Sequence, residues 1–216
     1  MSSEALSPSA RSEPGRSEAT RSRVLDAAVD CIAQEGFHAS NLARIARHAG
    51  MTTGAIQHQF RDKASLLAAV VERGFERMID QLARLPGSSQ PVEDRVDALV
   101  HVLWQGYDAA STRASLEILF AMRHDAAFQR RSLAFLAQMR ERADRLWMGS
   151  FWDLGIDRAR HLEAQRLVFT TLNGLALERI LVPTMPETGP DLARLARVVV
   201  AILRADERPE PEGADR

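Results

Sequence analysis

Thr53, Gly54, Gln57 and His58 supply a hydroxyl with a methyl, a bare backbone, a carboxamide and an imidazole, spaced so that one helix presents them together. Each type suits a nucleotide. Thr53 can bond a phosphate or touch a thymine methyl, and Gln57 can pair bidentately with adenine. A glycine inside a short helix is about 1 kcal/mol poorer than alanine, and close approach of the helix backbone to a duplex accounts for Gly54. Lys63 is the only lysine among 28 Lys and Arg residues and opens the next helical pattern. The helix dipole disfavours a cation there, whereas a phosphate held beside it, and beside the free N–H groups of the helix start, favours one.

These residues need a frame, and the flanking pattern supplies it. From Glu18 to Glu35 the apolar residues Val24, Ala28, Cys31 and Ile32 mark an amphipathic helix, stopped by Gly36 with Phe37 packing back. Ser40 is expected to cap a second helix whose inward face is Leu42, Ile45, Ala46 and Ala49. Gly50 supplies a left-handed turn residue, and Thr52 caps a third helix that buries Ala55, Ile56 and Phe60. Two short helices about a tight turn form a helix-turn-helix, which lays its second helix in the major groove of DNA. Taken one at a time, the outward residues would pass for an ordinary helix surface.

Asp62 is expected to cap a long fourth helix to about Leu85, offering Leu67, Val70, Phe75, Met78 and Leu82 for burial. Pro86 to Pro91 is a break. Helical patterns follow over Val92–Ala110, Leu116–Arg123, Asp125–Leu154, Arg158–Val182 and Asp191–Ala205, with a loop from Pro183 to Pro190. No period-2 pattern of useful length occurs, so the chain is expected to be all-α with about nine helices. The expected organisation is a disordered tail over 1–17, a helix-turn-helix DNA-binding domain over 18–64, a helical regulatory and dimerisation domain over 65–205 and a flexible tail over 206–216.

Net charge over the 216 residues is −1, which argues against indiscriminate binding to nucleic acid. Between Gly36 and Lys63, however, four basic residues face one acidic residue, with His38, His48 and His58 in addition. That local balance suits a sequence-selective phosphate contact. No apolar run is long enough to cross a bilayer and no signal-peptide core opens the chain, so a cytoplasmic protein without a membrane partner is expected. The single cysteine, Cys31, lies in an apolar helical pattern and gives no metal-ligand spacing. His161-x-Glu163 lacks the cysteine pair of a deaminase zinc site, and no phosphate loop or nucleophile elbow occurs. Neither an enzyme nor a bound metal or cofactor is expected.

Over Thr20 to about Val71 the chain resembles the N-terminal domain of the TetR family of bacterial transcriptional regulators. The resemblance is carried by Arg23-Val24-Leu25-Asp26-Ala27-Ala28, Gly36-Phe37, Ile45-Ala46, Ala49 through Ile56, His58, Phe60, and Asp62-Lys63 before Leu66-Leu67. It implies that the third helix reads the major groove and that the start of the fourth grips the backbone. By position, Thr53, Gly54 and Gln57 would face bases, and Thr52, His58 and Lys63 would hold phosphates, with Ser40 and Arg44 flanking them. Gln57 stands where the family usually has a tyrosine anchor, so either base readout is broader or that phosphate contact is lost.

In the last two helices the apolar residues surround the segment from Leu167 to Leu177 and recur at Leu192, Leu195, Ala196, Val199, Ile202 and Leu203. Either they form an internal pair or they close a four-helix bundle with a second copy; the resemblance implies the second, through Leu167, Thr171, Leu175, Leu192, Leu195, Val199 and Ile202. All three tryptophans and the one tyrosine lie between Trp104 and Trp152. An effector cavity is therefore expected among Trp104, Tyr107, Phe120, Met139, Trp147 and Phe151, with Glu117, His124 or Asn173 as polar contacts. The expected function is a homodimeric repressor released from a double-stranded, pseudo-palindromic operator by a small-molecule effector. The alternative is a helical protein-interaction module that binds no DNA.

Overall fold

A computed structural model describes residues 13–85, 88–182, 184 and 187–205. The helices are α1 (Glu13–Glu35), α2 (Leu42–Ala49), α3 (Thr53–Gln59), α4 (Lys63–Leu82), α5 (Val92–Asp108), α6 (Ala110–Ala121), α7 (Ala126–Phe151), α8 (Arg158–Leu181) and α9 (Gly189–Arg204), with a 3₁₀ turn over Trp152–Leu154. Among the described residues there is no strand, and no helix is long and apolar enough to cross a membrane.

Three boundaries differ from the sequence reading. α1 begins at Glu13 rather than Glu18, and Pro14 falls in its first turn, where a missing N–H breaks no helical bond. α6 begins at Ala110 rather than Leu116, because its early turns bury Thr112, Ala114 and Ser115 instead of large apolar residues. α9 begins at Gly189 with Pro190 in its first turn, so the proline expected to end the loop starts the helix. The tails over 1–12 and 206–216 lie outside the described residues, as do Pro86, Gly87, Pro183, Met185 and Pro186 within the two expected loops.

The apolar stripes meet in two clusters, and α4 belongs to both. Its first half, through Leu66, Leu67 and Val70, packs with Val24, Ala28, Cys31 and Ile32 of α1, Ile45 of α2, and Ile56 and Phe60 around α3. Ala114 and Ile118 of α6 and Phe128 of α7 cover the same cluster from the other side. The second half of α4, through Met78, Ile79 and Leu82, enters a larger cluster with α5, α7, α8 and α9.

Polar contacts fasten these packed faces. Arg73 of α4 donates to the Ser22 carbonyl at 3.1 Å and pairs with Asp26 at 2.7 Å, which ties α1 to α4. Arg131 and Arg142 of α7 reach Glu72 and Asp80 on α4. Arg95 of α5, only 4% exposed, meets Asp153 through two bonds of 2.7 and 2.9 Å and donates to the Ser150 carbonyl. A buried charge is tolerated in that paired geometry, and here it pins the end of α7.

Candidate nucleic-acid interface and effector cavity

The α2–α3 corner is built by local hydrogen bonds. Gly50 adopts φ +63°, and the N–H of Met51 bonds the Ala46 carbonyl at 2.9 Å, closing α2 with a left-handed turn. The Thr52 hydroxyl accepts the Ala55 N–H at 3.2 Å and starts α3. Ile56 is fully buried and Phe60 nearly so, which fixes the rotation of α3. Gly54, Gln57 and His58 are consequently exposed and Thr53 half-buried, on the face expected from the sequence. A β-carbon on Gly54 would meet only the Thr52 hydroxyl, 3.9 Å away, so nothing inside the fold demands glycine there.

α4 starts with a reciprocal cap. Asp62 accepts the Ser65 N–H at 2.7 Å, and the Ser65 hydroxyl accepts the Asp62 N–H at 3.1 Å. The Ser65 N–H first, and the Ser65 hydroxyl after it, hold the Asp62 carboxyl below the usual carboxylate range. The helix start is therefore partly satisfied by its own acid, and fewer N–H groups remain for a phosphate than the sequence suggested. The Lys63 ammonium lies 5.0 Å from the Phe37 ring centroid, a cation–π contact that gives it a partner within the fold as well.

Two expected contacts are displaced. Asn41, not Ser40, caps α2, accepting the Arg44 N–H at 3.0 Å. Ser40 is 1% exposed and donates to the Gly36 carbonyl at 2.8 Å, so its hydroxyl is not available at the surface. It lies one residue too early because the chain is still closing the turn after α1. The Arg44 guanidinium is held by the Glu35 carboxylate, which also meets His48 at 3.2 Å; these two partners lower the Glu35 pKa. Cys31, Glu35 and His48 offer ligand atoms within 4.8 Å of one another, a juxtaposition hidden in the sequence because His48 comes from α2. Cys31 is fully buried and the Glu35 carboxylate is already engaged by Arg44 and His48.

The structure also adds residues. Gln59 bonds Ser17 at 3.5 Å and Arg21 lies 4.4 Å over the Phe60 ring, so the early turns of α1 run beside the end of α3. The part of that segment before Glu18 carries no apolar stripe, so its sequence reads as a tail. Arg47 and Arg61 are exposed and, like Lys63, have no acidic partner among the described residues. Their spacing in a local excess of positive charge was the available signal.

Residues 24–70 match the family described as bacterial regulatory proteins, tetR family. The match spans the α1–α4 unit whose exposed α3 face has just been described. Over these residues the chain carries the helix-turn-helix domain of TetR-family regulators. It is 22% identical over 175 residues to the transcriptional regulator CymR of Pseudomonas putida, covering 81% of this chain and 86% of that one. It is 36% identical over 90 residues to the regulator BetI of Escherichia coli, covering 40% of this chain and 45% of that one. The structure of Salmonella enterica GusR shares the fold, with a TM-score of 0.61 and 22% identity over 89% of this chain and 95% of that one.

In the body of the chain, beyond the TetR-type domain, a cavity of about 780 Å³ opens between α4, α5, α7 and α8. Of the nine residues expected to line it, Tyr107, Met139 and Asn173 do. Trp104, Trp147 and Phe151 belong to the core instead. Phe120 is 50% exposed, and His124 is exposed in the turn between α6 and α7. Glu117 sits under the Phe37 backbone N–H, where burial raises its pKa. Aromatic content reported where volume is filled, not where it is left open. The walls instead include Phe75, Met78 and Ile79 of α4, and Arg140 and Arg166.

The α8–α9 residues also divide differently. Leu192, Leu195 and Val199 are 3%, 5% and 0% exposed within one subunit, so they cannot reach a second copy. Leu167, Thr171, Leu175 and Ile202 are half-buried, while Leu162, which lines the cavity, Leu181, Val182 and Val198 are exposed.

Proposed function

We propose that this chain acts as a homodimeric repressor, released from a pseudo-palindromic operator when a small molecule enters the body cavity. The carrying observation is the course of α4: its first half packs Leu66 and Leu67 in one cluster with Ile56 and Phe60, and its second half walls the cavity. A ligand against Phe75, Met78 and Ile79 therefore touches the same rigid element that seats the recognition helix. The coupling required is about 1–3 kcal/mol, because operator and effector need only prefer different arrangements of one helix.

Thr53, Gly54 and Gln57 face base edges in this reading, Thr52, His58, Arg47 and Lys63 the backbone, and Arg44 follows if phosphate competes it away from Glu35. The exposed Leu181, Val182 and Val198 meet their counterparts about a two-fold axis, with Leu167, Thr171, Leu175 and Ile202 at the margin. Two copies of α3 would then enter successive major grooves about 34–36 Å apart.

Binding of genomic fragments by the purified protein tests this, followed by salt titration on the recovered site. Lys63→Ala should weaken binding evenly across operator variants and lower the salt slope by about one. Gln57→Ala should relax preference at one base pair. Retention on DNA that ignores salt, or a change of sequence preference in Lys63→Ala, refutes the assignment.

A further inference from the structure

We propose that the body cavity takes an amphipathic ligand with one anionic head, a carboxylate on an apolar body, whose head is held between Arg140 and Arg166. This rests on the effector reading above and names the class of molecule. The cavity of about 780 Å³ lies within the size range of pockets for drug-sized ligands. Its inner walls are apolar, with Phe75, Met78 and Ile79 from α4, Met139 from α7 and Phe169 from α8.

The charged groups are unevenly matched. Arg140 and Arg166 line the cavity from α7 and α8, are exposed to solvent, and have no acidic partner among the described residues. Arg131, Arg142 and Arg145 of the same α7 each hold a carboxylate. The one acid in the cavity wall, Asp144, accepts the Gln165 amide at 2.8 Å. Two free guanidiniums against one engaged carboxylate favour an anion, and a single guanidinium can grip a carboxylate through two parallel N–H bonds. Tyr107, 2% exposed, accepts the Asn173 amide at 3.1 Å, leaving its O–H to donate. Burial keeps that phenol protonated, so the deeper end reads a neutral acceptor and not a second charge.

Decanoate, decanamide and decylamine share one apolar tail and differ in head charge. With the full-length protein, calorimetry should find decanoate about tenfold or more tighter than decanamide, and decylamine weakest. The double variant Arg140→Gln/Arg166→Gln, altered only at exposed positions, should bring decanoate to within about twofold of decanamide and leave decanamide unchanged. Equal binding of the three, no binding of any, or tightest binding of decylamine overturns the proposal; the last would make Asp144 the head-group partner. Operator release is read separately. Decanoate that binds as expected yet leaves the operator complex intact upholds the ligand class and refutes the effector reading instead.

Discussion

A β-carbon on Gly74 of α4 would lie 2.6 Å from the Ser115 hydroxyl oxygen of α6, and 3.1 Å from the Ser111 carbonyl oxygen. Ser115 is fully buried and its hydroxyl donates to that same carbonyl at 2.7 Å, so neither atom can swing aside. The two helices cross at a distance only glycine permits. Gly74→Ala should lower stability by about 1–3 kcal/mol, strain outweighing alanine's better helix propensity. In Gly74→Ala/Ser115→Ala the nearest atom is gone, and denaturant unfolding should show a loss smaller than the sum of the singles. Additive losses would show that the two residues do not meet.

Gly54 makes the opposite case. The space beside it is open, so Gly54→Ala should stabilise the protein by up to about 1 kcal/mol. If the bare backbone is there to approach a duplex, operator affinity should fall by roughly tenfold in the same variant. Thermal unfolding and fluorescence anisotropy on one preparation decide it; greater stability with unchanged affinity removes the reason given for the glycine.

Adjacent valines on α9 separate assembly from folding. Val198 is 45% exposed and Val199 is 0% exposed. Val198→Glu should give a folded monomer with poor operator affinity, whereas Val199→Glu buries an unpaired charge and should unfold the subunit. Light scattering and circular dichroism read the two effects. A Val198→Glu dimer would place the interface elsewhere.

Glu117 should betray itself through pH. Burial raises its pKa above the ordinary 4.5, so the ionised form costs stability above its folded pKa, and that cost fades as pH falls towards the unfolded value. Glu117→Gln keeps an acceptor for Phe37 without the charge. It should raise Tm by roughly 1–2 °C near pH 7 and converge on the unaltered protein near about pH 4. A pH-independent difference would point to packing rather than ionisation.

The recognition corner was legible because it is local: the Thr52 cap, the Gly50 turn and the Ile56 and Phe60 anchors all act within a few residues of one another. The body was legible only as helices. A stripe such as Leu192, Leu195, Val199 and Leu203 states that a face is covered, and the structure shows the cover to be the subunit itself. Arg140 and Arg166 read in sequence as solvated surface, because what they face is set by α7 meeting α8. Ser40 failed as a cap by a single residue, within the ordinary uncertainty of helix ends.

The glycine crossing gives α4 a fulcrum. Met78 lies about 6 Å along the helix on one side of Gly74, and Lys63 about 16 Å on the other, at 1.5 Å of rise per residue. A rod tilting there is a lever with unequal arms, so an ångström of travel at Met78 becomes between two and three at Lys63. Arg73 bolts α1 to the same rod. In the proposed mechanism the three-helix head would travel with the rod, and a small displacement at the cavity would misalign a pair of such heads on a rigid groove.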